Sequence, residues 1–270
     1  MVLFTAHRLA ATSTNRWSHP MSTVLIIGST GQVGRVVVEE AIERGLTVRA
    51  QTRNAARARQ TLPDGVEVVE ASPASPDDLR PLVADVDAVV LTHGGDVDGE
   101  GGISFYTTVA TLLEALGDSR THISLMTAMN TSRSSGPSHY GFVEWKRRAE
   151  RLLRVSGHPY TIVRPGWFDY QGPGDRRIDL RQGDLVTGQP GLDRRHIAQV
   201  LLAGATCPSG VRRTVEIFSV AGDPVTDLES LFATTRPDER GALDGVLDTN
   251  NVPLGEEPEQ VRDDIARFSR

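Results

Sequence analysis

The alternation of apolar and polar positions divides most of the chain into short strands and amphipathic helices. Val24 to Ile27 are continuously apolar, as a strand buried on both faces requires. Val36, Val37, Ala41 and Ile42 then recur at helical spacing, with Glu39, Glu40 and Glu43 turned outward. Gly45 ends that run, and Leu46 to Ala50 reads as a second strand. The pattern repeats down the chain. VEVVEA, VDAVVLT, HISLMTAM, PYTIVRPG and RTVEIFSV read as strands; SPDDLRPLV, FYTTVATLLEAL, FVEWKRRAERLLRVSG and HIAQVLLAGA read as helices. Strands separated by helices predict an α/β fold, a Rossmann-like doubly wound parallel sheet with helices on both faces.

Periodicity weakens after Trp167. The segment from about 167 to 195 is rich in Gly and Asp and reads as an irregular loop covering a substrate, because ligands of open α/β sheets bind beyond the carboxyl ends of the strands. Residues 21–222 form the nucleotide-binding domain on this reading. Residues 1–20 are expected to be a mobile extension, and 223–270 a small irregular C-terminal region packed on the domain, with a terminal helix at PEQVRDDIARF.

Composition narrows the function. Of 270 residues, 39% are hydrophobic and the net charge is −6, so neither nucleic acid nor a membrane is an expected partner. No apolar run approaches the length of a membrane span. The arginines of RNAARAR and KRRAERLLR are expected on solvated helix faces. Cys207 is the single cysteine, which excludes an internal disulfide and a multi-cysteine metal site and suits a reducing, cytoplasmic location. The expected partner is a small-molecule substrate, with a homodimer left open.

The chemistry begins at GSTGQVG, between the first strand and its helix. Gly28 permits the tight turn, Gly31 lets a pyrophosphate approach the backbone, and Gly34 lets helix and strand pack closely. The helix N-terminus adds unpaired N–H groups and a partial positive charge. No Asp or Glu occurs from Leu46 to Arg59, while Arg53 directly follows the second strand. A planar guanidinium suits a 2′-phosphate, so NADP(H) is favoured over NAD(H).

With GSTGQVG, Arg53, DAVVLT, KRRAERLLRVSGHPYTIVRPGWF and RRHIAQVLL in place, the chain resembles the atypical short-chain dehydrogenase/reductases, in their NAD(P)H-binding, NmrA-like branch, over about Val24 to Val220. The resemblance implies cofactor contacts at Gly28, Thr30, Gly31, Gln32, Val33, Gly34 and Arg53. It also implies contacts near Thr92, Thr127, Lys146 and the backbone of Pro165, Gly166, Trp167 and Phe168. Active members place a tyrosine four residues before the lysine and a serine at the end of the fifth strand. Here Phe142 stands four before Lys146, and Ala128 stands at the serine position beside Thr127.

Tyr140 precedes Lys146 by six residues, so the two cannot share a helix face. Tyr140 reaches a site near Lys146 only by swinging in from the preceding loop. Lys146, Thr127 and Tyr140 are the catalytic candidates; His93, Asp169 and Tyr170 are candidates for lining the substrate. The leading expectation is an NADP(H)-dependent oxidoreductase of a small organic carbonyl or activated alkene. The alternatives are a catalytically silent NADP(H)-binding sensor and a non-redox epimerase or dehydratase.

Overall fold

The structure is a computed structural model, described for residues 23–94, 101–132, 141–188, 190–249 and 252–270, without the side chains of 101, 102 and 142. The expected extension 1–20, together with His139 and Tyr140, lies outside the described residues. In chain order the strands are β1 (Thr23–Ile27), β2 (Thr47–Thr52), β3 (Glu67–Glu70), β4 (Ala88–Leu91), β5 (His122–Met126), β6 (Tyr160–Pro165), β7 (Trp167–Phe168), β8 (Arg177–Arg181), β9 (Gly191–Leu192) and β10 (Arg213–Val220). The α-helices are α1 (Gln32–Glu43), α2 (Ala55–Thr61), α3 (Pro76–Val83), α4 (Gly101–Leu116), α5 (Gly141–Val155), α6 (Arg194–Thr206), α7 (Leu228–Ala233) and α8 (Glu259–Phe268).

Eight strands form one sheet in the order β3-β2-β1-β4-β5-β6-β10-β8, and β7 pairs with β9 beside it. The chain reverses its winding direction between β1 and β4, which lie side by side from Val24 opposite Ala88 to Ile27 opposite Leu91. Such a switch point opens a crevice at the carboxyl ends of the strands. The sheet is Rossmann-like, and seven strands are parallel as the sequence predicts.

The segment read as irregular holds three strands, β7, β8 and β9. β8 runs antiparallel to β10, with Ile217 opposite Leu180. Its RIDLR sequence does alternate: Ile178 and Leu180 join the core while Arg177 and Arg181 are exposed. Five residues of alternation are easily hidden among glycines and aspartates. β7 and β9 are shorter still, two residues each.

Neighbouring residues of β1 enter opposite cores, as the two-residue strand period demands. Val24 and Ile26 pack with Val33, Val37 and Val38 of α1 and with Ile197 and Leu201 of α6. Leu25 and Ile27 pack with Leu79 of α3, Phe105 of α4, Leu152 of α5 and Ile265 of α8. Each fully buried Val, Leu or Ile stabilises the fold by roughly 1.5–3 kcal/mol. At the end of α1, Gly45 adopts φ +74° and its N–H meets the Ile42 carbonyl, while Leu46 N–H meets Ala41, a Schellman closure.

The arginines of KRRAERLLR overturn the solvated-face expectation. Arg147, Arg151 and Arg154 are all buried, because the C-terminal region covers α5 and brings carboxylates to them. Glu257 accepts from Arg147 at 2.6 Å, Arg148 at 2.8 Å and Arg151 at 2.8 Å. Asp244 grips Arg151 through two bonds of 2.8 and 3.1 Å. A buried guanidinium is tolerated when its charge is paired with a carboxylate. The acidity of the C-terminal region is therefore matched to the arginines it covers.

Candidate functional site

The glycine loop is built for close approach. Gly28 has φ +86°, which favours glycine, and a Cβ there would lie 2.9 Å from the His93 backbone nitrogen. A Cβ at Gly34 would lie 2.0 Å from the Gly28 carbonyl oxygen, so only glycine lets α1 start this near β1. Gly31 is the N-cap of α1; it offers no side chain to the helix amides, and the first turn holds no acidic residue. The amino end of α1 thus keeps its positive character. These features fit a dinucleotide diphosphate.

Gly28, Thr30, Gly31, Gln51, Thr52, Arg53, Thr92 and His93 line a cleft of about 240 Å³, closed further by Pro73, Gly94 and Ser104. Arg53 is exposed at its rim. Arg57 and Arg59 are exposed on α2, an element the sequence pattern did not reveal, capped by Asn54. Val33 and Gly34 are buried beneath the loop, and Gln32 is exposed at the helix start. Thr92 bonds through its hydroxyl to the carbonyls of Ile27 and Gly28 at 3.2 and 3.3 Å, which ties β4 to the loop. The His93 ring lies 3.5 Å from the Ser104 hydroxyl.

The second half of the site lies at the ends of β5 and β6. Lys146 Nζ donates to the Thr127 carbonyl at 3.1 Å and stands 5.8 Å from the centre of the Phe105 ring. Burial pushes its ammonium down to about 8, with the Glu150 carboxylate opposing that shift. Thr127 donates its hydroxyl proton to Glu150 at 2.6 Å. Sequence reasoning missed Glu150; the available signal was a glutamate one turn beyond Lys146, next to Ala149 of the apolar stripe. It also missed Asp184, whose carboxylate accepts from the Asn130 and Ser132 amides at 2.6 and 2.9 Å. Asp184 thereby fixes the loop that follows β5.

At the end of β6, the Pro165 carbonyl accepts from Met129, while the Gly166 and Trp167 amides donate to Ile217 and Pro190. Those amides are engaged within the protein, so the peptide plane there is fixed. Phe168 turns inward to the α1–α6 core. Trp167 and Tyr170 are exposed and meet edge to face, 6.4 Å between centres. Asp169 between them has φ +65° and pairs with Arg194 at 2.6 Å. Geometry therefore gathers two groups: the loop, Arg53, Thr92 and His93 in one cleft, and Lys146 with Thr127 at the end of β5.

Among the described residues no helix is long and apolar enough to cross a membrane. Residues 28–208 match the model of a family described as NAD(P)H-binding. The chain is similar to Protein TIC 62, chloroplastic, of Pisum sativum, 28% identical over 251 residues, covering 80% of this chain and 46% of that protein. It thus spans about half the length of that relative. It is also similar to the sanguinarine reductase of Eschscholzia californica, 22% identical over 260 residues, covering 78% of this chain and 95% of that one. Among solved structures, an NAD-dependent epimerase/dehydratase-like protein from Bacillus halodurans superposes with a TM-score of 0.67 at 19% identity, over 79% of this chain and 100% of that one. The glycine cradle, the switch-point cleft and the family match agree, and the chain belongs to this NAD(P)H-binding family.

Proposed function

We propose that the protein is an NADP(H)-dependent oxidoreductase that reduces a small organic carbonyl or activated alkene. One observation carries this reading: the glycine cradle opens beside Arg53, and the segment from Leu46 to Arg59 that forms β2 and leaves it contains no Asp or Glu of its own. The α1 amides hold the diphosphate, and the Arg53 fork takes the 2′-phosphate through paired N–H groups. The Lys146 ammonium donates to the ribose hydroxyls on the nicotinamide side. The bound coenzyme supplies the hydride; the protein supplies orientation and a proton route. The Thr127 hydroxyl already donates its hydrogen bond to Glu150. Proton delivery therefore falls to Tyr140, outside the described residues, or to water near Lys146. His93, Asp169 and Tyr170 line the substrate side. The name of the Eschscholzia relative supports reduction as the chemistry. A lone cysteine suits a reducing compartment such as the cytoplasm, although the Pisum relative is named as chloroplastic.

A second reading has its own support. Phe142 has no proton to give, Ala128 replaces a serine, and the Thr127 hydroxyl is engaged. These favour a sensor that binds NADP(H) without turnover. Calorimetry with NADPH and NADH, followed by NADPH consumption with quinones, aldehydes and enones, separates the two. Consumption that collapses in Lys146→Ala establishes the reductase. Tight binding with no consumption across the panel establishes the sensor, and no binding of either coenzyme sinks both.

A further inference from the structure

Thr127 is held at both ends by one helix. Lys146 Nζ takes its carbonyl at 3.1 Å, and Glu150 Oε1 accepts its hydroxyl proton at 2.6 Å. Side chains four apart on a helix share a face, so two consecutive turns of α5 close on the residue that follows β5. Glu150 is itself fixed. Arg164 of β6 reaches its two oxygens at 3.0 and 2.6 Å, and Arg154 reaches one at 2.9 Å. Asp248 holds Arg164 from the far side through bonds of 2.8 and 2.7 Å. Glu150 has no exposed surface. An isolated buried carboxylate would be strongly unfavourable, so this one persists because its lone pairs are all directed at named donors.

We infer that Glu150 is a positioning residue of the coenzyme site, setting the end of β5 against α5 through Thr127 and keeping Lys146 cationic beside the nicotinamide ribose. The inference rests on the NAD(P)H reading and adds a residue that touches neither coenzyme nor substrate. Among the described residues the charged groups facing Lys146 are Glu150 on its own helix and Arg164 and Arg154 behind Glu150, with Asp248 and Glu216 beyond Arg164. From α4 comes the Phe105 ring, and from the end of β5 the Thr127 carbonyl. Burial would raise the Glu150 carboxyl, but Arg164 and Arg154 outweigh that and hold it below the usual carboxylate range. Glu150 is therefore charged throughout the neutral range and opposes the loss of the Lys146 proton.

The test is NADPH binding by calorimetry from about pH 6.5 to 9.5 in the 270-residue chain and two variants. In the wild type, affinity falls as pH rises through about 8. Glu150→Gln removes the charge and moves that midpoint down by about one unit or more. Thr127→Val keeps the charge but removes the hydroxyl bond; its midpoint stays, and affinity drops about 2- to 10-fold at every pH. A folded Glu150→Gln protein with the wild-type midpoint overturns the inference. So does Thr127→Val with wild-type affinity, a result available even if Glu150→Gln fails to fold. Wild-type protein that binds neither coenzyme at any pH overturns the NAD(P)H reading instead, which keeps the two failures distinct.

Discussion

Gly34 decides how near α1 comes to β1, and a single methyl group tests it. In Gly34→Ala the new carbon would meet the Gly28 carbonyl at 2.0 Å, so the helix must retreat from the loop. Overpacking of this kind costs about 1–3 kcal/mol. Gly34→Ala should lower the melting temperature by several degrees and weaken NADPH binding at least tenfold, measured by scanning calorimetry and titration. Arg53 is exposed, so Arg53→Ala should fold normally. Loss of a charge-assisted bond of about 1.5–3 kcal/mol predicts a 10- to 100-fold weaker NADPH affinity with NADH affinity unchanged. Equal losses for both coenzymes would count against a 2′-phosphate contact. His122 governs acid stability in the same residue-by-residue way. Its Nε2 lies 2.9 Å from the Thr161 hydroxyl, which donates its own proton to Gly210, so Nε2 carries the hydrogen. Burial holds this imidazole neutral down to about pH 3, against an ordinary 6.5. An unfolded chain takes up the proton below pH 6.5 and the folded chain does not. His122 therefore withdraws stability as pH falls from 6.5 towards 3, by up to about 1.4 kcal/mol per pH unit. His122→Asn should lose less stability than the wild type between about pH 7 and 5 in urea unfolding.

Among the elements, α5 is the one on which the site depends most. Its apolar residues Ala149, Leu152 and Leu153 are fully buried and were legible as a stripe; its arginines were not. Helical spacing shows which face is apolar but not whether another segment will bring carboxylates to the polar face. Those partners lie far away in sequence, Glu257 being 110 residues beyond Arg147. Glu257→Gln should cost about 3–5 kcal/mol in chemical denaturation, because it leaves buried guanidinium charge without its counter-ion. A loss below about 1 kcal/mol would mean that water reaches these groups. The glycine loop, by contrast, was legible because its requirement is local: φ +86° at Gly28 and contact across a few residues. The Lys146–Thr127–Glu150 grip needs β5 and α5 brought together, so neither the periodicity of the helix nor the composition of the strand announces it. β8 escaped because its five alternating residues lie among glycines and aspartates, and its pairing with β10 is long-range.

For the whole molecule, the C-terminal region is part of the charge balance of the domain, not an appendage. A chain ending at residue 222 would lose Asp238, Asp244, Asp248 and Glu257, which pair with Arg147, Arg151, Arg154 and Arg164 in the intact fold. It would also lose Val261 and Ile265 of α8 from the second core. Such a truncation should show no cooperative thermal transition, and a sharp transition from the shortened chain would refute this dependence. The margins of the sheet have a different consequence. One border is β3, only four residues long, with Glu67 and Glu70 exposed. The other is β8, five residues that run against their neighbour, with Arg177 and Arg181 exposed. Short charged borders discourage strand-by-strand accretion between molecules. Concentrated solutions should therefore resist fibrillar growth along the sheet.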